Sequence, residues 1–121
     1  MIRAQQISKY QNGCEKILQI PGIRFAALIN NKGRIISGGL SGKITPYEKD
    51  EEKRNVLFME IALDLTMRKE FTNTLGSIHA IVSYRDKVNI ITIPHRENFI
   101  LLSVEPELDS QRIINLVGEL L

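Results

Sequence analysis

The sequence has few of the residues that mark secreted, metal-binding or membrane-spanning proteins. Cys14 is the only cysteine, so one chain can form no internal disulfide and an oxidising compartment is not indicated. No segment approaches the roughly 20 apolar residues of a membrane span, and the first residues lack the apolar run of a signal peptide. His79 and His95 lie in different segments, and neither is at a metal-ligand spacing from Cys14. We therefore expect a soluble cytoplasmic protein with no metal site and no cofactor.

Charge and length narrow the class further. Sixteen Lys and Arg residues against fourteen Asp and Glu leave a formal charge of +2, with the two signs interspersed. A dedicated nucleic-acid binder would show a concentrated basic face instead. The 121 residues fit one domain, 1–121, with a single core. No spacing suggests a Ser-His-Asp, Cys-His or paired-carboxylate arrangement, so we predict a non-enzyme.

A glycine-rich stretch, SGGLSGKIT, invites a phosphate-binding interpretation because a predicted helix follows it. A Walker A loop needs a glycine five residues before its Gly-Lys pair and a Ser or Thr after it. Here Ser37 stands at the first position and Ile44 follows Lys43. An enzyme using the Gly38–Lys43 loop on a phosphorylated substrate is therefore the weakest hypothesis, and a flexible connection is expected.

One long helix is predicted from Thr45 to about Asn73. Thr45 suits the N-cap, Pro46 the first helical position and Glu48 the third position of a capping box. Gly76 can supply the left-handed residue that ends a helix.

The apolar surface of this helix is wider than one contact requires. At about 100° per residue, apolar side chains cover roughly half of its circumference, whereas a helix on one sheet needs a stripe of roughly 100°. The apolar set is Phe58, Met59, Ile61, Ala62, Leu63 and Leu65. The polar row is Glu60, Asp64 and Arg68, with the last two at the i,i+4 spacing of an ion pair. Either the C-terminal helix or a second copy of the protein must cover the surplus.

The remaining segments predict the rest of the fold. Helices are predicted at residues 2–19 and 109–121 and strands at 23–31, 34–37, 77–84, 87–93 and 98–106. Strands 23–31 and 98–106 are apolar on both faces and should be interior, while 77–84 is more polar and should be an edge. Cys14 lies on the apolar stripe of the first helix, where a buried small hydrophobe is expected. The last helix either packs on the sheet or is offered to a partner. The class is α+β, in the order α-β-β-α-β-β-β-α, with helices on both faces of a five-stranded antiparallel sheet.

This order, together with IPGIRFAALINNKGRIISGG, resembles the Roadblock/dynein light-chain family, including short archaeal members. Gly22, Ile23, Ala27, Ile29 and Gly33 to Ile36 fit its pattern. Longin and profilin domains have a similar architecture. The resemblance implies a homodimer in which two long helices pack antiparallel and the following strands pair into one sheet. It also implies a scaffold or regulator of small Ras-like GTPases.

The predicted dimer seam combines the long helix with the edge strand. It consists of Phe58, Ile61, Leu65, Ile78, Ala80 and Val82. The alternative function is a small-ligand sensor of the profilin or PAS type, which would need an apolar pocket between the sheet and a helix.

Overall fold

The structure is a computed structural model that describes residues 3–42 and 44–121. Its helices are α1 (Ala4–Leu18), α2 (Glu51–Arg68), α3 (Thr72–Leu75) and α4 (Ser110–Leu120). Its strands are β1 (Ile23–Ile29), β2 (Ile35–Leu40), β3 (Ile81–Tyr84), β4 (Asn89–His95) and β5 (Asn98–Val104). A 3-10 turn, Lys69–Phe71, joins α2 to α3. The predicted α+β class and element order are confirmed. Residue 2 of the predicted first helix and Lys43 of the predicted loop lie outside the described residues.

The five strands form one antiparallel sheet in the order β2-β1-β5-β4-β3. The mainly apolar strands β1 and β5 lie side by side in its interior, and every residue of β1, including Arg24, is buried. The predictions of two interior strands and of an edge at β3 are therefore confirmed. The edge strand is shorter than predicted, since residues 77–80 form no strand and β3 begins at Ile81.

Helices cover both faces of the sheet. On one face α1 and α4 pack together over the strands, whereas on the other face α2 packs alone. The first core consists mainly of Tyr10, Ile17, Ala26, Leu28, Ile91, Ile100, Leu102, Val104, Ile113 and Val117. The second core consists of Phe25, Ala27, Ile29, Phe58, Ala62, Leu65, Phe99 and Leu101. The suggestion that the C-terminal helix covers the surplus of the long helix is therefore wrong, because α4 lies on the opposite face.

The β1–β2 turn fixes the position of α2. The Asn30 side chain accepts hydrogen bonds from the backbone N–H groups of Lys32 and Arg34, and Gly33 closes the turn by donating to the Asn30 carbonyl at 2.9 Å. Gly33 has a φ of 84°, and a Cβ there would lie 2.7 Å from the backbone of Met59. The helix can rest on the turn only because this residue has no side chain.

The glycine-rich stretch is a strand at its start and not the flexible connection that was predicted. Gly38 and Gly39 belong to β2 and pair with Ala27 and Ala26. Gly38 has a φ of 88°, and a Cβ there would meet Ala26 and the Cys14 sulfur. The absence of a side chain lets α1 approach the sheet closely at this point.

The long helix begins later than predicted. Asp50 is the N-cap, and its carboxylate accepts hydrogen bonds from the backbone N–H groups of Glu52 at 2.9 Å and Lys53 at 3.4 Å. The predicted cap at Thr45 is wrong because the Thr45 carbonyl accepts a hydrogen bond from the Arg24 guanidinium instead. The segment from Thr45 to Lys49 therefore forms a loop that precedes the helix.

Candidate functional site

The side of α2 that faces away from the sheet carries a row of exposed apolar side chains. Val56, Met59, Leu63 and Met67 are 49%, 54%, 61% and 61% exposed. Their spacing of three, four and four residues places them along one line of the helix, roughly opposite the residues that face the core. We call these four residues the outer row.

The predicted seam residues of α2 lie on the other side of the helix. Phe58 and Leu65 are buried against the sheet, where the Phe58 ring stacks on Phe25 with a centroid distance of 5.5 Å. Ile61 is half-buried. Since one chain already buries Phe58 and Leu65, the surface still open to a partner is the outer row.

Sequence reasoning placed Met59 and Leu63 in the apolar arc but did not include Val56 and Met67. The sequence signal that could have identified Val56 and Met67 is the spacing of the four residues, which places them on the side of the helix away from Phe58.

Three more exposed apolar side chains lie outside α2. Phe71 and Leu75, which follow the helix, are 55% and 81% exposed. Tyr84 at the end of β3 is 73% exposed. Within the described part of the chain, β3 pairs only with β4, so its other edge offers unpaired backbone groups.

The three predicted seam residues near the edge are half-buried: Ile78 and Ala80 lie just before β3, and Val82 lies within it. A shallow groove of about 130 Å³ separates β3 from α2 and is lined in part by Ile61, Asp64 and Ile81. The predicted ion pair of the polar row is present, with Arg68 Nε 2.9 Å from Asp64 Oδ2 and both side chains exposed. This row therefore faces solvent as predicted.

A larger cavity lies at the N-terminal end of α2. Its volume is about 660 Å³, and it is enclosed by the first turns of α2, the loop before that helix, strands β1, β4 and β5, and the β3–β4 turn. Its apolar floor consists of Phe25, Leu57, Phe58, Ile90 and Leu101. A pocket between the sheet and a helix is what the ligand-sensor alternative requires.

A buried guanidinium lies at one side of this cavity. Arg24 donates to Glu105 Oε1 at 3.2 Å and to the Thr45 carbonyl at 2.9 Å. Its Cζ lies 4.0 Å from the centroid of the Tyr47 ring, which is the distance of a cation–π contact. These contacts join β1, the end of β5 and the loop before α2. No local sequence pattern could have indicated them, because the sheet pairing brings the three segments together.

The residues considered for chemistry are placed as structural groups. Cys14 is fully buried, and this burial raises the pKa of its thiol to about 11, so it stays protonated at neutral pH. His95 hydrogen-bonds the Tyr10 hydroxyl at 2.6 Å, and its partial burial lowers the pKa of its imidazole. Gly38 donates its N–H to Gln11 at 2.7 Å, so this group is not free to bind a phosphate.

Within the described residues there is neither a cluster of metal ligands nor a membrane-spanning helix. Among residues 3–42 and 44–121, no three His, Cys, Asp or Glu side chains come together as metal ligands. None of the helices in these ranges combines the length and the apolar character needed to cross a bilayer.

Comparison with solved structures identifies the fold. A Roadblock/LC7 domain from Streptomyces avermitilis aligns over 91% of this chain and 89% of its own, with a TM-score of 0.69 and 11% identity. A structure described as MglB with a tetrameric arrangement aligns over 98% and 86%, with a TM-score of 0.74 and 15% identity. Profilin II from Acanthamoeba castellanii aligns over 92% of both chains, with a TM-score of 0.61 and 10% identity.

Sequence comparison gives the family. No curated protein matches the chain. A family described as "Family of unknown function (DUF6659)" matches residues 2–121. The solved structures confirm the resemblance to Roadblock domains at the level of the fold. The chain belongs to DUF6659 and has the fold of Roadblock domains.

Proposed function

We propose that this protein is a non-enzymatic homodimeric scaffold or regulator that binds a protein partner, and that a small Ras-like GTPase is the partner to test first. The observations that carry the proposal are the outer row of α2, with its four exposed apolar side chains, and the unpaired edge of β3. A row of exposed apolar side chains is typical of a protein–protein interface.

A second copy of the chain fits this surface better than an unrelated apolar segment. Two copies related by a twofold axis present the same row to each other, so Val56, Met59, Leu63 and Met67 can interdigitate across antiparallel helices. The same axis can bring two β3 edges together and satisfy their backbone groups. The seam then consists of the outer row and β3, with Ile61, Ile78, Ala80 and Val82 beside it and with Phe58 and Leu65 beneath it.

The proposed partner rests on the fold and the family resemblance. The Roadblock/LC7 domain and MglB have the same architecture, and one MglB structure is described as tetrameric. A dimer with one continuous sheet would offer a GTPase a wide rigid platform, and any effect on GTP hydrolysis would come from reshaping the GTPase's own site.

Light scattering across a dilution series tests the dimer. We expect a mass near twice 13.8 kDa. Leu63→Glu should give a monomer, because it places a charge in the centre of the seam while leaving the core of one chain unchanged. Ile35→Glu is the matched control, since Ile35 is 45% exposed on the opposite sheet edge. A native monomer, or a dimer that Leu63→Glu leaves intact, would contradict this seam.

Pull-down of purified small Ras-like GTPases, loaded with GDP or with a GTP analogue, tests the partner. We expect the native protein to retain a GTPase in one nucleotide state and Leu63→Glu to lose it along with the dimer. A native dimer that retains none of the GTPases would reject the partner and leave the dimer standing.

A second candidate function, a small-ligand sensor of profilin-like or PAS-like architecture, is favoured by the cavity between α2 and the sheet. In that case a ligand would raise the unfolding temperature of the native protein. A thermal-shift screen against pools of metabolites tests this candidate. If no pool changes the unfolding temperature, the candidate is contradicted.

A further inference from the structure

The cavity at the start of α2 has the size of a small-molecule site. Its volume of about 660 Å³ lies within the usual range of ligand pockets, roughly 300–1,000 Å³. The floor of Phe25, Leu57, Phe58, Ile90 and Leu101 has no polar side chain. An apolar body would therefore be buried there without leaving a polar group of the protein unsatisfied.

Basic residues outnumber acidic residues in the lining of the cavity. Lys53, Arg54, Arg85 and Lys87 line it, and we call them the mouth cations. The acidic residues in the lining are Glu48 and Asp86. Over residues 3–42 and 44–121, the salt bridges are Arg24–Glu105 and Arg68–Asp64, so none of the mouth cations has a carboxylate partner. This imbalance favours an anion at the mouth.

Side chains, and not the end of the helix, would have to hold that anion. The backbone N–H groups of Glu52 and Lys53 at the start of α2 already donate to the Asp50 carboxylate. Lys53, Arg85 and Lys87 are exposed and come from two separate elements, the helix and the β3–β4 turn. They can therefore approach one head group from two sides.

We propose that this cavity binds a small molecule with an apolar body and a single anionic head, a carboxylate or a phosphate. The body lies on the apolar floor, and the head lies between the mouth cations. Arg24 is held by Glu105 and the Thr45 carbonyl, so it fixes the wall and the Tyr47 ring above it. The inference rests on the second candidate function and deepens it. All of these residues belong to one chain, so it does not depend on dimerisation.

A fluorescence titration tests the site. The chain has no tryptophan, so Tyr47→Trp introduces one reporter at the mouth and keeps an aromatic ring over Arg24. The probes are octanoate, octyl phosphate, 1-octanol and octylammonium, each below its micellar concentration. We expect saturable binding of one or both anions and at least about tenfold weaker binding of the alcohol and the amine. The two anions compared with each other distinguish a carboxylate ligand from a phosphate ligand.

Chain length tests the floor separately from the mouth. If the apolar body is buried, decanoate should bind about fifteenfold more tightly than octanoate, because each added methylene contributes about fourfold. Acetate and inorganic phosphate, which present a head without a body, should not compete.

Charge reversal tests the mouth. In the Tyr47→Trp background, the double variant Arg85→Glu, Lys87→Glu should weaken octanoate binding by at least about tenfold while leaving octanol unchanged. Lys53→Glu gives an independent reversal on the helix side. Arg112→Glu on α4 is the matched control, because Arg112 is exposed on the opposite face of the sheet.

Three results would overturn the proposal. The first is no saturable binding of either anion, and the second is equal binding of octanoate and octylammonium. The third is unchanged octanoate binding in both mouth variants, with circular dichroism showing that they are folded. Failure of these titrations together with a native dimer of twice the chain mass would reject the ligand site alone.

Discussion

The two faces of the sheet are covered in different ways. On one face, α1 and α4 lie side by side, and each faces the sheet and the other helix with its apolar side chains. On the opposite face, α2 lies alone and has apolar side chains on two sides. The inner side, with Phe58, Ala62 and Leu65, contacts the sheet, and the outer row faces away.

This difference shows which face of the sheet has a helix with uncovered apolar side chains. A helix that packs alone on a sheet normally has polar side chains on its solvent-facing side, because exposing apolar side chains to water is unfavourable. The outer row breaks that rule along about three turns of α2, and no element of the described chain covers it. Among the described residues of the two-helix face there is no comparable row. We propose that this surplus serves association; in the part of the chain that the structure describes, it is confined to the single-helix face.

The difference between the two sides of α2 is tested most strongly by shortening one side chain on each side to alanine. Phe58→Ala should lower the free energy of unfolding by about 3–5 kcal/mol, because a buried aromatic ring leaves a cavity. Met59→Ala should change it by no more than about 0.5 kcal/mol, because Met59 is exposed in one chain. Urea denaturation in the Leu63→Glu background measures both without a contribution from dimerisation. Equal losses for the two variants would mean that the outer row is packed within the chain.

The contact between α2 and the β1–β2 turn should make a second, smaller contribution to stability. Gly33→Ala should destabilise the fold by about 1–3 kcal/mol, because φ is 84° and the new Cβ would lie 2.7 Å from the Met59 backbone. Urea denaturation again measures the loss. Gly76→Ala is not a matched control, because Gly76 has a φ of 88° and a ψ of 173°, a conformation almost restricted to glycine. A loss at Gly33 below about 1 kcal/mol, the cost of a positive φ alone, would contradict the close contact with the helix.

Much of this fold could be predicted from the sequence because its signals are local and repeated. The nearly continuous apolar runs of β1 and β5 indicate burial on both faces, and the Asn30 to Gly33 turn is marked by its own residues. The width of the apolar arc on α2 predicts a second contact, and the structure leaves Met59 and Leu63 of that arc exposed. The spacing alone could not tell which part of the arc faces the sheet, so Phe58 and Leu65 were assigned to the seam although one chain buries them.

The cavity was beyond sequence reasoning for a different reason. Arg24, Lys53 and Arg85 are far apart in the chain, and each is an ordinary charged residue in its own segment. Only the pairing of β1 with β5 and of β4 with β5, together with the position of α2, brings them around one opening. Such a site has no local pattern that could reveal it.

The start of α2 gives the smallest effect and bears directly on how the single-helix face is built. Asp50→Ala should cost about 1 kcal/mol, because it leaves the N–H groups of Glu52 and Lys53 without their acceptor. Thr45→Ala should be within about 0.5 kcal/mol of the native protein, since Thr45 contributes its backbone carbonyl to Arg24 and alanine keeps that group. Urea midpoints at an unchanged slope measure both. If Thr45→Ala were the costly change, the helix would begin where its sequence pattern first predicts, and the loop that walls the cavity would instead be its first turn.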